Sequence, residues 1–338
     1  MKASMPDIVG NVGLRDRLCR DILNQKMAHA YIVAGAQGSG KHLVAMQSAA
    51  AVACESKHDA TTPIPCGECP SCRKILSGKC PDVITVSKDG KSVKIDQIRA
   101  LGKDVRTLPN DLEDKFYIIE DADTMTPQAQ NAFLLTLEEP PSFVHFFLLC
   151  EHPEKLLETV RSRAPVLRTE MISNEDIKAY VKRKNASASS ILSAMPQEFE
   201  EILSIANGSI GKVLALSDEK ERAPLLARRA KASALIEHAL KKDRAALAVL
   251  LCQLPSKQDE LLPIFTCAQS ALRDLVALKQ APDASLVFYS DREAASELAY
   301  SCSLHSLYRV YDAIDATVGN VFRNANIRLS LSCLLTQI

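Results

Sequence analysis

Apolar positions fall into two periods along this chain, and the change between them divides it. Leu14, Leu18 and Ile22 recur at helical spacing, and Tyr31-Ile32-Val33-Ala34 follows as a continuous apolar run. Val83-Ile84-Thr85-Val86, Phe116-Tyr117-Ile118-Ile119 and Phe146-Phe147-Leu148-Leu149 repeat that short run. Helical stretches such as Gln97 to Val105 and Ala129 to Leu137 separate them. Unbroken β-rich runs of this length belong to strands buried on both faces, so the first half predicts a parallel sheet covered by helices.

Beyond about Thr169 the strand signals stop. Ser173-Asn174-Glu175-Asp176 opens a helix, with Ser173 as cap and acids in the first turn. A helix through Phe199 to Leu203 stops at Asn207-Gly208, a left-handed ending. From about Glu221 the pattern is long and helical, with Pro263 and Pro282-Asp283 as breaks. The expected domains are 1–169, 170–220 and 221–338.

Composition narrows the function classes. At 338 residues there is room for two or three domains. Lys+Arg and Asp+Glu both number 41, so a strongly basic nucleic-acid binder is not indicated, although a local basic strip fits within a neutral total. With no Trp and 5% aromatic residues, base-stacking platforms gain no support. No run of eighteen apolar residues and no signal pattern is present, so the expectation is a soluble, cytoplasmic protein without a membrane partner. The 11 cysteines, an odd number, suit reduced thiols plus a metal site. Cys19, Cys252, Cys267, Cys302 and Cys333 lie in apolar helical patterns and are expected in the core.

Gly35-Ala36-Gln37-Gly38-Ser39-Gly40-Lys41-His42 has the G-x-x-x-x-G-K frame of a phosphate-binding loop, after a predicted strand and before a predicted helix. Backbone N–H groups and the helix dipole would face phosphate oxygens, with Lys41 as a point charge; a glycine-rich turn without ligand is the plain alternative. The frame calls for Ser or Thr after the lysine to hold Mg²⁺, and His42 stands there instead. Imidazole is a poor ligand for that hard cation; if His42 points away, water takes the position. Glu120-Asp121 ends the third strand, where acids organise a metal and a water nucleophile. Their order reverses the usual Asp-then-Glu, and a shift of ~1 Å costs on the order of a hundredfold in rate. A solvated acidic turn is the alternative.

Cys66-x2-Cys69-x2-Cys72 can converge on one ion only through turns, which Gly67 and Pro70 supply. Cys54, ending the preceding helix, adds a fourth sulfur, and a closed all-thiolate set is structural zinc. Redox-active thiols are the rival reading, and Cys80 and His58 are the other candidates for fourth ligand.

These motifs together resemble the bacterial DNA polymerase III clamp-loader subunits of the AAA+ superfamily. The resemblance runs through Asp7-Ile8-Val9-Gly10, His29-Ala30-Tyr31, the glycine-rich loop, the four cysteines and Lys94 to Arg99. It continues through Glu120 to Ala132, Leu137-Glu138-Glu139-Pro140-Pro141, Ser162-Arg163-Ala164 and Asn324 to Leu329. It implies an α/β AAA+ domain with a parallel sheet and a zinc knot inserted at about 54–80. A small helical lid and an all-α collar would follow. Val9, Gly10, Gly35, Gly38, Gly40, Lys41, His42, Glu120 and Asp121 would line a nucleotide site for ATP.

Within the family, His42, the Glu120-Asp121 order and Gly211 in place of a motor's lid arginine favour the delta-prime, stator type of subunit. The gamma/tau motor ATPase is the alternative; a P-loop kinase with a zinc insert is a distant third. Arg163 is the residue the resemblance assigns to a neighbour's ATP site, as an arginine finger in trans; a surface arginine is the plain reading. Implied partners are gamma/tau and delta subunits, the sliding clamp indirectly, and primed DNA through its backbone. The chain's own ATPase would be weak or absent within the DNA-directed DNA polymerase III holoenzyme.

Overall fold

In the computed structural model, residues 5–56, 63–323 and 325–338 are described; His58 and Asn324 lie outside them. The chain forms two compact units. One comprises the described residues up to Arg183 together with Gly208–Gly211; the other comprises Lys184–Asn207 and Lys212–Ile338.

The first unit is built on five strands, β1 (Ala30–Ala34), β2 (Val83–Val86), β3 (Lys115–Ile119), β4 (Val144–Cys150) and β5 (Val166–Arg168). All pairings are parallel and the spatial order is β2-β3-β4-β1-β5. The four apolar runs are β1 to β4. β5 was not expected, because Val166-Leu167-Arg168 is too short to stand out from its flanks; pairing with β1 makes it a strand.

Alternate side chains feed two cores. Tyr31, Val33, Phe116, Ile118, Phe147 and Leu149 face one side, where α1 (Val12–Leu23), α2 (Lys41–Val52) and α3 (Pro70–Leu76) pack. Ile32, Tyr117, Ile119, Phe146 and Leu148 face the other, against α4 (Ile95–Asp104), α5 (Pro127–Glu138) and α6 (Glu158–Arg161). Both faces are dry, which explains why the runs are continuous instead of alternating. α7 (Asn174–Lys184) closes the unit, and Ser173 Oγ accepts the Asp176 N–H (3.1 Å) at its start.

The second unit is helical throughout its described residues, and its largest core joins Leu235, Phe265, Leu272, Ile314 and Leu334. Pro263 does not break the pattern as expected: it sits in the second turn of Gln258–Gln280, where one backbone hydrogen bond is forgone while the apolar face stays packed. That helix is long and apolar enough to cross a membrane, with half of its apolar window buried in this unit. Asp274, fully buried on it, accepts the N–H groups of Val287 (2.8 Å), Phe288 (2.6 Å) and Tyr289 (3.2 Å) on one oxygen. Cys252 and Cys333 were expected in a core and are exposed, because each falls on the solvent-facing side of its helix; Cys19 is buried, and Cys267 and Cys302 are half-buried.

Candidate functional site

Strand β1 ends at Ala34, and the chain turns through residues 35–40 into α2. Gly40 adopts φ 88°, a conformation that costs L-residues and is free to glycine. At Gly35 the constraint is space: a Cβ would lie 1.8 Å from Thr169 Oγ1. That hydroxyl donates to Ser39 Oγ (2.8 Å), tying the loop to the segment after β5. Lys41 Nζ donates to the Gly35 and Ala36 carbonyls (2.6 and 2.9 Å), folding back over the turn. Burial lowers its pKa against the opposing field of Glu151, Asp121 and Asp123.

The Gly38 carbonyl accepts from Ser209 Oγ (2.7 Å) and from the Gly211 N–H (3.2 Å). A Cβ on Gly211 would lie 2.9 Å from that carbonyl oxygen and 3.1 Å from Gly38 Cα. Backbone meets backbone at this point, leaving no room for the arginine of the motor pattern.

His42 turns toward the end of β3 instead of away. Its Nδ1 is 3.1 Å from Glu120 Oε1, and Ser87 Oγ donates to the other Glu120 oxygen (2.7 Å). Asp121, in left-handed backbone at φ 48°, pairs with Lys88 Nζ at 3.0 Å. Asp123 accepts the His152 N–H (3.1 Å). The carboxylates at the carboxyl end of β3 are thus already engaged by protein groups. Magnesium, which the fold family implies here, demands oxygen ligands in near-octahedral array. A ring nitrogen in place of the hydroxyl and two occupied carboxylates do not fit it.

Val9 and Gly10 border a cavity of about 460 Å³ with Arg15, Asp176, Tyr180 and Arg183. Asn11, next along the chain, donates to Val9 O (3.0 Å) and accepts the Glu170 N–H (2.6 Å). Arg15 Nε is buried without a partner there, a donor that a ligand could satisfy. Thr169, Ser209, Ser87, Lys88 and Arg15 were not singled out from sequence. Their roles depend on contacts between distant segments, and no motif marks them.

The four cysteine sulfurs, from Cys54, Cys66, Cys69 and Cys72, lie within 4.8 Å of one another. Cys66 Sγ and Cys72 Sγ are 3.9 Å apart; tetrahedral zinc with Zn–S bonds of ~2.3 Å spaces its sulfurs by ~3.8 Å. Cys69 caps α3, and the N–H groups of Cys69 and Cys72 donate to the sulfurs three residues earlier (3.4 Å each). Gly67 at φ 76° makes the turn between. The Ser56 hydroxyl brings the Cys66 thiol down to about 6, whereas burial pushes Cys72 up. These residues fit zinc, which would supply a covalent staple and no open coordination position. Cys80 is buried separately and stands outside the cluster.

Arg163 follows α6. Its guanidinium donates to Glu138 Oε1 (2.7 Å) and Thr159 O (3.0 Å), and both side chains of the pair are partly exposed. Ala164 beside it is buried in the sheet's second core, so the small residue serves packing.

A doubly covered parallel sheet, with a glycine-rich strand–turn–helix at its carboxyl edge, defines a parallel α/β protein. The family model described as DNA polymerase III, delta subunit, matches residues 11–173. DNA polymerase III subunit tau of Bacillus subtilis is 33% identical over 218 residues, 63% of this chain and 37% of that protein. Subunit delta' of the same species is 36% identical over 151 residues, 44% of each chain. A Thermotoga maritima DNA polymerase III gamma-subunit-related structure aligns over 95% of this chain and 97% of its own, at 16% identity and TM-score 0.49. The chain therefore spans less than half the length of these two Bacillus relatives. Over its first unit, the chain is similar to DNA polymerase III clamp-loader subunits.

Proposed function

We propose that this chain is the delta-prime, stator-type subunit of a clamp loader. It would act with gamma/tau and delta subunits in the cytoplasm to place a sliding clamp on primed DNA. The observation that carries the reading is the engaged acid pair: Glu120 on His42 and Asp121 on Lys88. A motor needs those carboxylates for metal and water; here they are bound to the protein itself. In this reading residues 1–169 are the AAA+ domain, 170–220 the lid and 221–338 the collar. Zinc staples the cysteine knot, and Lys41 with the glycine loop retains nucleotide binding without efficient hydrolysis. Any DNA contact is to backbone phosphate and insensitive to sequence.

Arg163 is the group offered to a neighbour. Glu138 holds its guanidinium at the surface in a defined orientation, and a cation supplied in trans is worth about 10³–10⁵ in rate in comparable NTPases. Purified chain alone should show negligible ATP turnover, and adding it to a gamma/tau motor should stimulate the motor. Arg163→Ala should abolish the stimulation while leaving co-purification intact; an unchanged rate refutes the in-trans role.

The gamma/tau motor itself is the second reading. Supporting it, tau and gamma subunits of several bacteria are among the relatives, and Lys41 is retained. DNA-stimulated turnover by this chain alone would decide in its favour.

A further inference from the structure

We infer that the glycine-rich loop takes a nucleoside diphosphate without a divalent metal, and that His42 is the residue that sets this specificity. The inference rests on the nucleotide-binding part of the reading above and adds the chemical form of the ligand.

In this architecture the residue after the loop lysine is a hydroxyl donor to magnesium, and the acids ending the third strand complete the metal's shell. Here His42 Nδ1 lies 3.1 Å from Glu120 Oε1. Ser87 holds the other oxygen of that carboxylate at 2.7 Å. Lys88 Nζ sits 3.0 Å from Asp121 Oδ2. Seating a hydrated magnesium would mean breaking those pairs and replacing an oxygen ligand by a nitrogen that the cation disfavours.

What the loop retains is a set of metal-free contacts. Gly40 opens α2 in left-handed backbone, so the first N–H groups of that helix face the turn. Lys41 reaches the same turn and exchanges its two carbonyl contacts for phosphate oxygens. These groups suit the α- and β-phosphates. A γ-phosphate is different: motors share its charge with magnesium bridging the β- and γ-oxygens. Without the metal, its added charge would meet Glu151, Asp121 and Asp123, the acids whose field reaches Lys41. The diphosphate avoids that encounter.

The test is calorimetric titration of the full chain with ADP and with ATP, each in excess magnesium and in EDTA. ADP affinity should agree within about twofold between the two conditions, and ATP without metal should bind more weakly than ADP. His42→Ser restores the hydroxyl and frees Glu120. It should make ATP binding magnesium-dependent by about tenfold, with an unchanged melting temperature because the side chain is half exposed. Wild-type ADP affinity at least about tenfold stronger with magnesium would overturn the inference, as would no binding in either condition. A His42→Ser variant with no gain in metal dependence would remove His42 as the determinant. None of these results touches Arg163, whose test reads a partner's turnover.

Discussion

Gly211 is where one hydrogen atom decides the most. With Gly38 O only 2.9 Å from where its Cβ would be, Gly211→Val must push the segment 208–211 off the loop. Overpacking of this kind costs typically 1–3 kcal/mol. Hydrogen exchange at the amides of residues 38–41 should accelerate in that variant, whereas Ser209→Ala, removing one of two donors to Gly38, should have a smaller effect. Equal protection in Gly211→Val and the parent chain would show that the contact carries no weight. Asp82 supplies a pH-dependent counterpart. Burial would raise its pKa, but the N–H groups of Asn110, Asp111 and Leu112 and the Asn110 amide outweigh it and hold it below the ordinary value. A carboxyl depressed in the folded state stabilises it above the unfolded pKa of about 3.9. That stability is lost as pH falls through the folded value. Asp82→Asn should therefore lower the melting temperature at neutral pH, and the difference from the parent should shrink on acidification below about pH 4.

At the scale of elements, the cysteine knot is a small structure with little apolar core of its own. Cys69 caps α3, Glu55 accepts the Ser71 hydroxyl (2.6 Å), and the sulfurs converge behind α2. Metal affinity in such sites requires thiolates, so it falls with pH. Elemental analysis should find one zinc per chain, lost to a strong chelator with loss of helical signal from residues 54–80. Cys54→Ser should weaken zinc retention by an order of magnitude or more, whereas Cys80→Ser should retain it. Equal loss in both variants would return Cys80 to the ligand set. The sequence made Cys66, Cys69 and Cys72 legible because their spacing is local. It named Cys54 as the fourth, with Cys80 and His58 as alternatives, and the path of α2 brings Cys54 to the others.

Taken whole, the described chain has separate cores, with the sheet's two layers in one unit and the helical cluster in the other. Perturbations should stay local, as they do for sites without shared partners. Asp274→Ala strips the N–H groups of residues 287–289, buried at Phe288, of their acceptor, at about 1–3 kcal/mol for each buried group left unsatisfied. The variant should lose hydrogen-exchange protection in the second unit and keep that of the strands in the first. Loss of both would mean that the units are energetically one.

The alternation of apolar runs and helical stretches determined a parallel sheet followed by helices, because burial on both faces leaves its mark on every strand residue. Local spacing likewise determined the glycine-rich turn, three sulfurs and the unusual His42. Tertiary structure alone decided what those residues touch: that His42 meets Glu120, that Lys88 neutralises Asp121, that Ser209 and Gly211 reach Gly38, and that Glu138 holds Arg163. Hydrophobic period is written in neighbouring residues, whereas each of these contacts is a distance of a few ångströms between segments far apart in the chain.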